Sequence, residues 1–440
     1  MSRTIEKRKE GLKGSYSVPG DKSISHRAVM LGAIAEGTTH ISGFLNGADC
    51  NSTIGCFRAM GVDIDYEGGT DVTVHGVGLH GLKAPASVLD CGNSGTTTRI
   101  MAGLLSGQPF ASVLTGDPSI QKRPMKRIIE PLRLMGADIR SERDNGYAPL
   151  CISPEHLKGI SYGSPVASAQ VKSCLLMAAM YAEGATTVYE PVLSRNHTEL
   201  MLQALGADIG YGRDKETGRS YASLTPGHVL HACDIKVPGD ISSAAYLMGA
   251  ALTVPGSDIL IRNVGVNPTR DGIIKVFKQM GGRIELLDTR VEAGEAVADI
   301  HVSGSDLTGC RISGDIIPTL IDELPLIAVV ASSASGTTVI KDAAELKVKE
   351  SDRIALVTKD LKAMGADITA TDDGFIINAS GEPMPLHGAA IEDALDHRIA
   401  MSFAVAALTA DGATEIAHPE CVSVSYPGFF EDLIPDSDIS

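Results

Sequence analysis

Lysines, arginines and hydroxyl residues recur at the head of a run of small apolar residues, and this happens repeatedly along the chain. GDKSISHR holds Lys22, Ser23, Ser25, His26 and Arg27, and CGNSGTTTR holds Asn93, Ser94, Gly95, Thr96 and Arg99. SPVASAQVK supplies Ser168, Gln170 and Lys172, while GDISSAA, IDELP and LDHR head three later runs and contribute Asp322 and Arg398. If the runs are helices, these residues stand at helix N-termini. Free N–H groups and the positive end of the helix dipole attract anions there. Intervening loops add Arg123 in QKRPM, Ser194 and Arg195 in LSRNH, and Lys349, Glu350 and Arg353 in KVKESDR. Each feature alone has an ordinary explanation. A Ser, Asn or Asp before a helix is usually an N-cap, a single arginine a solvated cation, and KVKESDR a charged face with i,i+4 pairing. GNSGTTTR is also not the nucleotide loop G-x-x-x-x-G-K-[ST]. Taken together, cations placed again and again at helix starts point to a site for more than one phosphate or carboxylate.

The elements that position them form an internal repeat. FRAMGVDI, LRLMGADI, LQALGADI, FKQMGGRI and LKAMGADI recur, with their first glycines at 61, 136, 206, 281 and 365. Small-residue apolar runs precede them, closing at glycines 37, 107, 184, 256, 336 and 412, so six units of about 73 residues account for the chain. The sixth lacks its own MGADI phrase. Within a unit, the apolar run suits a helix buried on several sides, with its closing glycine as an αL stop. A short strand follows, then an amphipathic helix ending at the MGADI glycine, then a strand pair. Six units could build a solenoid or two globular bodies. VPGD favours two bodies, because it occurs at Val18–Asp21 and again at Val237–Asp240, each time before a buried-helix phrase. The expected architecture is α/β, with residues 21–236 as a first lobe of three units. Residues 1–20 plus 241–440 form a second, and crossovers fall near 18–21 and 237–240. Two such lobes can close on a ligand by a hinge, with helix starts facing one cleft.

Composition narrows the ligand. Lys plus Arg is 38 against 54 for Asp plus Glu, a net charge of −16, with 4% aromatics and no Trp. That excludes the broad basic surface and stacking platforms of a nucleic-acid binder, and the basic face of an anionic-membrane binder. Eight scattered cysteines without C-x-x-C read as reduced, and no metal-ligand cluster is apparent. Without an apolar N-terminal segment or a membrane-length run, a cytoplasmic location is expected.

GDKSISHR, GNSGTTTR, RPM, SAQVK, KVKESDR and DHR, in this order over nearly all 440 residues, resemble the 5-enolpyruvylshikimate-3-phosphate synthase family. The resemblance implies that family's six-unit, two-lobe inside-out α/β barrel. It also implies transfer of the enolpyruvyl group of phosphoenolpyruvate to the 5-hydroxyl of shikimate 3-phosphate, with release of phosphate, in aromatic amino-acid biosynthesis. No metal or organic cofactor is implied, and a monomer is expected. Carried over by motif, Lys22, Ser23, Arg27, Ser168, Gln170 and Ser194 would hold shikimate 3-phosphate, with Arg195, Glu345 and Lys349 beside it. Lys22, Asn93, Gly95, Arg123, Gln170, Arg353 and Arg398 would hold phosphoenolpyruvate. Asp322 aligns with the acceptor of the hydroxyl proton, and Glu350 with the residue that transfers a proton at the enol carbon. Two carboxylates on different lobes are expected to divide that work.

Several positions depart from the better-known bacterial and plant pattern. Ser94 and Ile100 stand in the GNAGTAMRP loop for Ala and Pro, and Ala169 removes one of two paired serines. His197 stands for a tyrosine, Glu345 for an asparagine and Val424 for a lysine. They imply a divergent branch with altered phosphoenolpyruvate and glyphosate affinity. Two other readings share the fold. A UDP-N-acetylglucosamine enolpyruvyl transferase would have a KNA-type start and a loop cysteine, which this chain lacks. A non-enzymatic phosphate-ligand binder, such as a relative of RNA 3′-phosphate cyclases, would not need both Asp322 and Glu350.

Overall fold

The computed structural model describes residues 2–378 and 385–434, so residue 1 and parts of the 241–440 range lie outside the described residues. Among the described residues twelve α-helices run in order: α1 Lys22–Ile34, α2 Ala48–Ala59, α3 Gly95–Ser106, α4 Lys126–Leu134, α5 Ala169–Ala179, α6 His197–Ala204, α7 Ile241–Thr253, α8 Gly272–Gln279, α9 Leu324–Ser332, α10 Arg353–Ala363, α11 His397–Ala407 and α12 Phe429–Leu433. The odd-numbered helices are the small-residue runs, and they are buried nearly all round. In α3 every residue but Thr96 is buried, and in α11 every residue is. Small residues make this possible: a Cβ on Gly103 of α3 would lie 1.9 Å from the Cys174 carbonyl oxygen of α5. Each Leu or Ile so buried contributes roughly 1.5–3 kcal/mol.

The even-numbered helices α2, α4, α6, α8 and α10 stop where the repeated phrase places a glycine. Gly61, Gly136, Gly206, Gly281 and Gly365 all have φ between 85° and 94°, the left-handed region closed to most side chains. The glycines closing the buried runs behave differently. Gly37, Gly184, Gly256, Gly336 and Gly412 also have positive φ, between 75° and 105°, but they lie three to five residues past the last helical residue. Gly107 does cap α3, but with φ −95°, so none of the six is the αL helix stop the sequence predicts. α1, for example, ends on Ala35 in extended conformation, with Gly37 already inside the next strand.

Among the described residues five repeats carry a four-stranded sheet with a shared order, a leading strand, a parallel neighbour and an antiparallel pair, and the sixth carries a three-stranded sheet. In the first, Ile235–Lys236 runs parallel to Glu36–Ser42, which pairs antiparallel with Val72–Val77, itself antiparallel to Asp63–Asp65. In the sixth, Ala390–Ile391 runs parallel to Thr414–Ile416, and the antiparallel partner is Arg3–Ile5 from the chain start. The sixth repeat's sheet therefore takes its antiparallel strand from the chain start and has one strand fewer than the others.

The chain divides into two compact lobes. The first comprises Gly20–Val237 with Glu292–Glu295; the second comprises Met1–Pro19, Pro238–Val291 and Ala296–Ser440. Each has its own hydrophobic core and three of the six sheets. Two boundary details differ from the expected ranges. Gly20 goes with the first lobe, and so does a hairpin tip at 292–295, where Glu295 meets His197 at 2.7 Å and Glu292 meets Lys236 at 3.1 Å. Among the described residues, no helix is long and apolar enough to cross a membrane.

Candidate active site

In the first lobe the starts of α1, α3 and α5 are tied together by side chains. Asp21 caps α1 by accepting from the Ile24 N–H at 2.9 Å, Ser94 caps α3 through the Thr97 N–H at 3.0 Å, and Ser168 caps α5. The N-cap explanation is thus true of these residues. Lys22, the first residue of α1, meets the Asp49 carboxylate at 2.7 Å. Arg27 is buried and donates through Nε to Thr198 (2.7 Å), through Nη1 to the Ser23 carbonyl (2.9 Å) and through Nη2 to Ser173 (2.9 Å). Burial draws its pKa down to about 10; Glu199 opposes that change and the charge of Arg195 adds to it.

Gly95 opens α3, and a Cβ there would lie 2.9 Å from Arg99 Nη1 and 3.3 Å from Arg123 Nη1. Two guanidinium groups therefore crowd the bare face of this glycine. Arg123 donates to the Asn93 side chain at 2.5 Å, and Arg99 donates to Gln170 at 2.6 Å. Gln170 also donates to Thr96 at 3.3 Å. Ser168 and Ser194 meet through a shared acid: Glu190 accepts from the Ser168 N–H at 2.8 Å and from the Ser194 hydroxyl at 2.8 Å. Lys172, wholly buried, bridges Glu190 at 3.0 Å and Glu199 at 2.8 Å.

The second lobe gathers acids and arginines. Asp322, in the turn before α9, lies 3.5 Å from Lys349, 3.4 Å from Arg353 and 3.9 Å from Arg398. Lys349 also faces Glu345 at 3.6 Å, and Glu350 meets Arg353 at 2.6 Å. Arg353 and Asp396 form a buried pair at 2.8 Å. Burial works against the Arg353 charge, but Asp396, Glu350 and Asp322 outweigh it and push its pKa up. Arg398 is held above its ordinary value in the same way, with Asp322 the leading favourable charge. Behind it stands Glu323, 3.7 Å from Arg398 and hydrogen-bonded by Ser242, which Arg270 supports at 2.7 Å. Asp322 and Glu350 both lie in this second lobe, not on different lobes as expected. Among the described residues no group of His, Cys, Asp and Glu is placed to hold a metal ion.

The match to known proteins is nearly complete. The family model for EPSP synthase (3-phosphoshikimate 1-carboxyvinyltransferase) matches residues 6–433. The chain belongs to the EPSP synthase family. A 3-phosphoshikimate 1-carboxyvinyltransferase of Brevibacillus brevis is 56% identical over 423 residues, covering 96% of this chain and 97% of the relative. One from Desulforamulus reducens is 51% identical, covering 96% of each. A solved EPSP synthase structure from Acinetobacter baumannii superposes with a TM-score of 0.86 at 47% identity, covering 98% of this chain and 97% of that one. The six-unit, two-lobe α/β architecture is the one these relatives share.

Several acids have no strong signal in the sequence: Asp49, Glu190, Glu199, Glu323 and Asp396 all hold residues named there, and Arg270 supports the Ser242 hydroxyl that bonds Glu323. Asp396 and Glu323 adjoin predicted residues and carry a faint signal in DHR and IDELP. Nothing local marks Glu190, whose two serine partners lie 22 residues before and 4 after it.

Proposed function

We propose that this chain transfers the enolpyruvyl group of phosphoenolpyruvate to the 5-hydroxyl of shikimate 3-phosphate, releasing phosphate. The observation that carries the reading is Asp322, a carboxylate with Lys349, Arg353 and Arg398 all within 3.9 Å. Alcohol addition to an enol ether needs a base at the hydroxyl and cations for the departing phosphate, and this cluster supplies both.

In the addition step Asp322 takes the hydroxyl proton as the oxygen attacks C2 of phosphoenolpyruvate, and Glu350 delivers a proton to C3. In the elimination step the C–O bond to phosphate breaks, C3 returns its proton to Glu350, and the proton held by Asp322 leaves with the phosphate. Arg123, Arg353 and Arg398 bind the carboxylate and phosphate of phosphoenolpyruvate, for which a planar guanidinium is suited. Asn93 and Gly95 line the same anion, and Gln170 serves both substrates. Lys22 reaches both as well. Ser23, Arg27, Ser168, Ser194 and Arg195 hold shikimate 3-phosphate, with Glu345 and Lys349 at its ring. Among the described residues Arg27 engages three of its five donors, which leaves two for a phosphate. The protein acts in the cytoplasm as a monomer.

Phosphate release should require both shikimate 3-phosphate and phosphoenolpyruvate. Release with UDP-N-acetylglucosamine in place of shikimate 3-phosphate, and none with the latter, would overturn the reading.

A further inference from the structure

A continuous line of buried polar side chains runs from α1 to the cap of α3. His26 Nδ1 lies 2.7 Å from the Thr53 hydroxyl, Thr53 lies 2.7 Å from the Thr97 hydroxyl, and Thr97 lies 2.7 Å from the Ser94 hydroxyl. All four side chains are fully excluded from solvent. His26 is the neighbour of Arg27, and Ser94 stands between Asn93 and Gly95. The line therefore joins the two helix starts to which the proposed function assigns different substrates, and the inference rests on that assignment.

The direction of the protons follows from counting donors. Thr97 donates its hydroxyl to Ser94, which also accepts the Thr97 N–H. A hydroxyl has one proton, so Thr97 can only accept from Thr53. Thr53 then has no proton left for His26 and must accept from it. His26 thus carries its proton on Nδ1, and Nε2 is a bare lone pair. That atom is buried and has no hydrogen-bond partner among the described residues, which an acceptor tolerates better than an N–H would. Burial drives the imidazole pKa down to about 3, ahead of an opposing pull from Asp49, so the ring stays neutral at working pH. Ser94 is one of the positions where this chain departs from the GNAGTAMRP pattern, and an alanine there could not receive the chain.

We infer that His26, Thr53 and Thr97 are positioning residues that set the Ser94–Gly95 turn, and through it the affinity for the anion bound at the start of α3. They touch no substrate. Their effect passes through the cap, whose register decides where Gly95, with Arg99 and Arg123 against it, presents its N–H.

Thr53→Val removes the central hydroxyl while keeping the side-chain volume, and Thr53→Ser restores the hydroxyl without the methyl. The expected result for Thr53→Val is a KM for phosphoenolpyruvate raised roughly fivefold, about the worth of one hydrogen bond. The KM for shikimate 3-phosphate and kcat should change less than twofold, and Thr53→Ser should recover the wild-type KM. Equal changes in both KM values, or no rescue by serine, would overturn the positioning role. Nitrogen-15 spectra of the wild-type imidazole test the tautomer without any assay of turnover. They should show a protonated Nδ1 and an unprotonated Nε2 from neutral pH down to about 4. A protonated Nε2 would sink the proton count even if the enzyme is active. An inactive wild type with the expected tautomer would instead fault the functional assignment.

Discussion

Arg353 at the head of α10 donates its Nε–H to the Asp396 carboxylate at 2.8 Å, and both side chains are almost wholly withdrawn from water. Asp396 also caps α11 by accepting the Arg398 N–H at 3.0 Å, so one acid orients two of the proposed phosphoenolpyruvate arginines.

Removing Asp396 leaves the Arg353 charge buried without its best partner. Asp396→Ala should lose about 3–5 kcal/mol of stability in urea denaturation at pH 7. The pH dependence has a definite sign. Burial pushes the Asp396 carboxyl up, but Arg353 outweighs it, and the folded pKa falls below the ordinary value of about 4. Its contribution is therefore complete above that value and lost as the pH falls through the depressed one. Wild type and variant should converge in stability in acid; a constant gap would contradict the pairing.

The two acids assigned to proton transfer should separate chemistry from binding. Asp322→Asn and Glu350→Gln are each expected to lower kcat by roughly 10²–10⁴-fold, with intact cooperative melting. A kcat within tenfold of wild type for either variant, measured by phosphate release, removes that residue from the mechanism.

Gly95→Ala places a methyl group among the ends of two arginines. Arg99 Nη1 and Arg123 Nη1, at 2.9 and 3.3 Å from the built Cβ, terminate flexible side chains that can retreat. The fold should survive, with a melting temperature within about 4 °C of wild type. The KM for phosphoenolpyruvate should rise roughly tenfold or more while that for shikimate 3-phosphate stays. Unchanged phosphoenolpyruvate affinity would show that Gly95 is not at the anion.

Asp360, on α10 and buried, is a structural liability of the opposite sign. Burial raises its carboxyl to about 6 despite nearby Lys359, and its Oδ2 has no hydrogen-bond partner among the described residues. The protonated form is favoured in the fold, so stability should fall as the pH rises from about 4 to about 6 and then level off. Asp360→Asn should melt higher than wild type at pH 7, and the difference should shrink below pH 4. Calorimetry across that range checks it, and no pH dependence of the difference would refute the raised pKa.

Much of this was written along the chain. The five MGADI-type glycines mark helix ends because only glycine readily takes a φ near 90°, and that requirement is local. The apolar runs mark buried helices because their residues are too small and too apolar for a solvated face. Lys22, Arg123, Arg353 and Arg398 were legible as cations beside helix starts or in the loops that feed them. The glycines closing the buried runs are ambiguous in sequence because a turn beyond a helix and a helix cap draw on the same residue type.

The sequence by itself determined the six repeats, the buried and outer helices, and the cationic residues at the helix starts. Only the tertiary structure decided which acid each cation meets: Asp49 for Lys22, Asp396 for Arg353, and Glu190 and Glu199 for Lys172. It also decided that the hydroxyls of Thr53 and Thr97 form one line with His26 and Ser94. Periodicity and turn chemistry report forces between neighbours in the chain. A charge pair across 43 residues, as between Arg353 and Asp396, exists only once separate helices have packed and excluded water from the space they share.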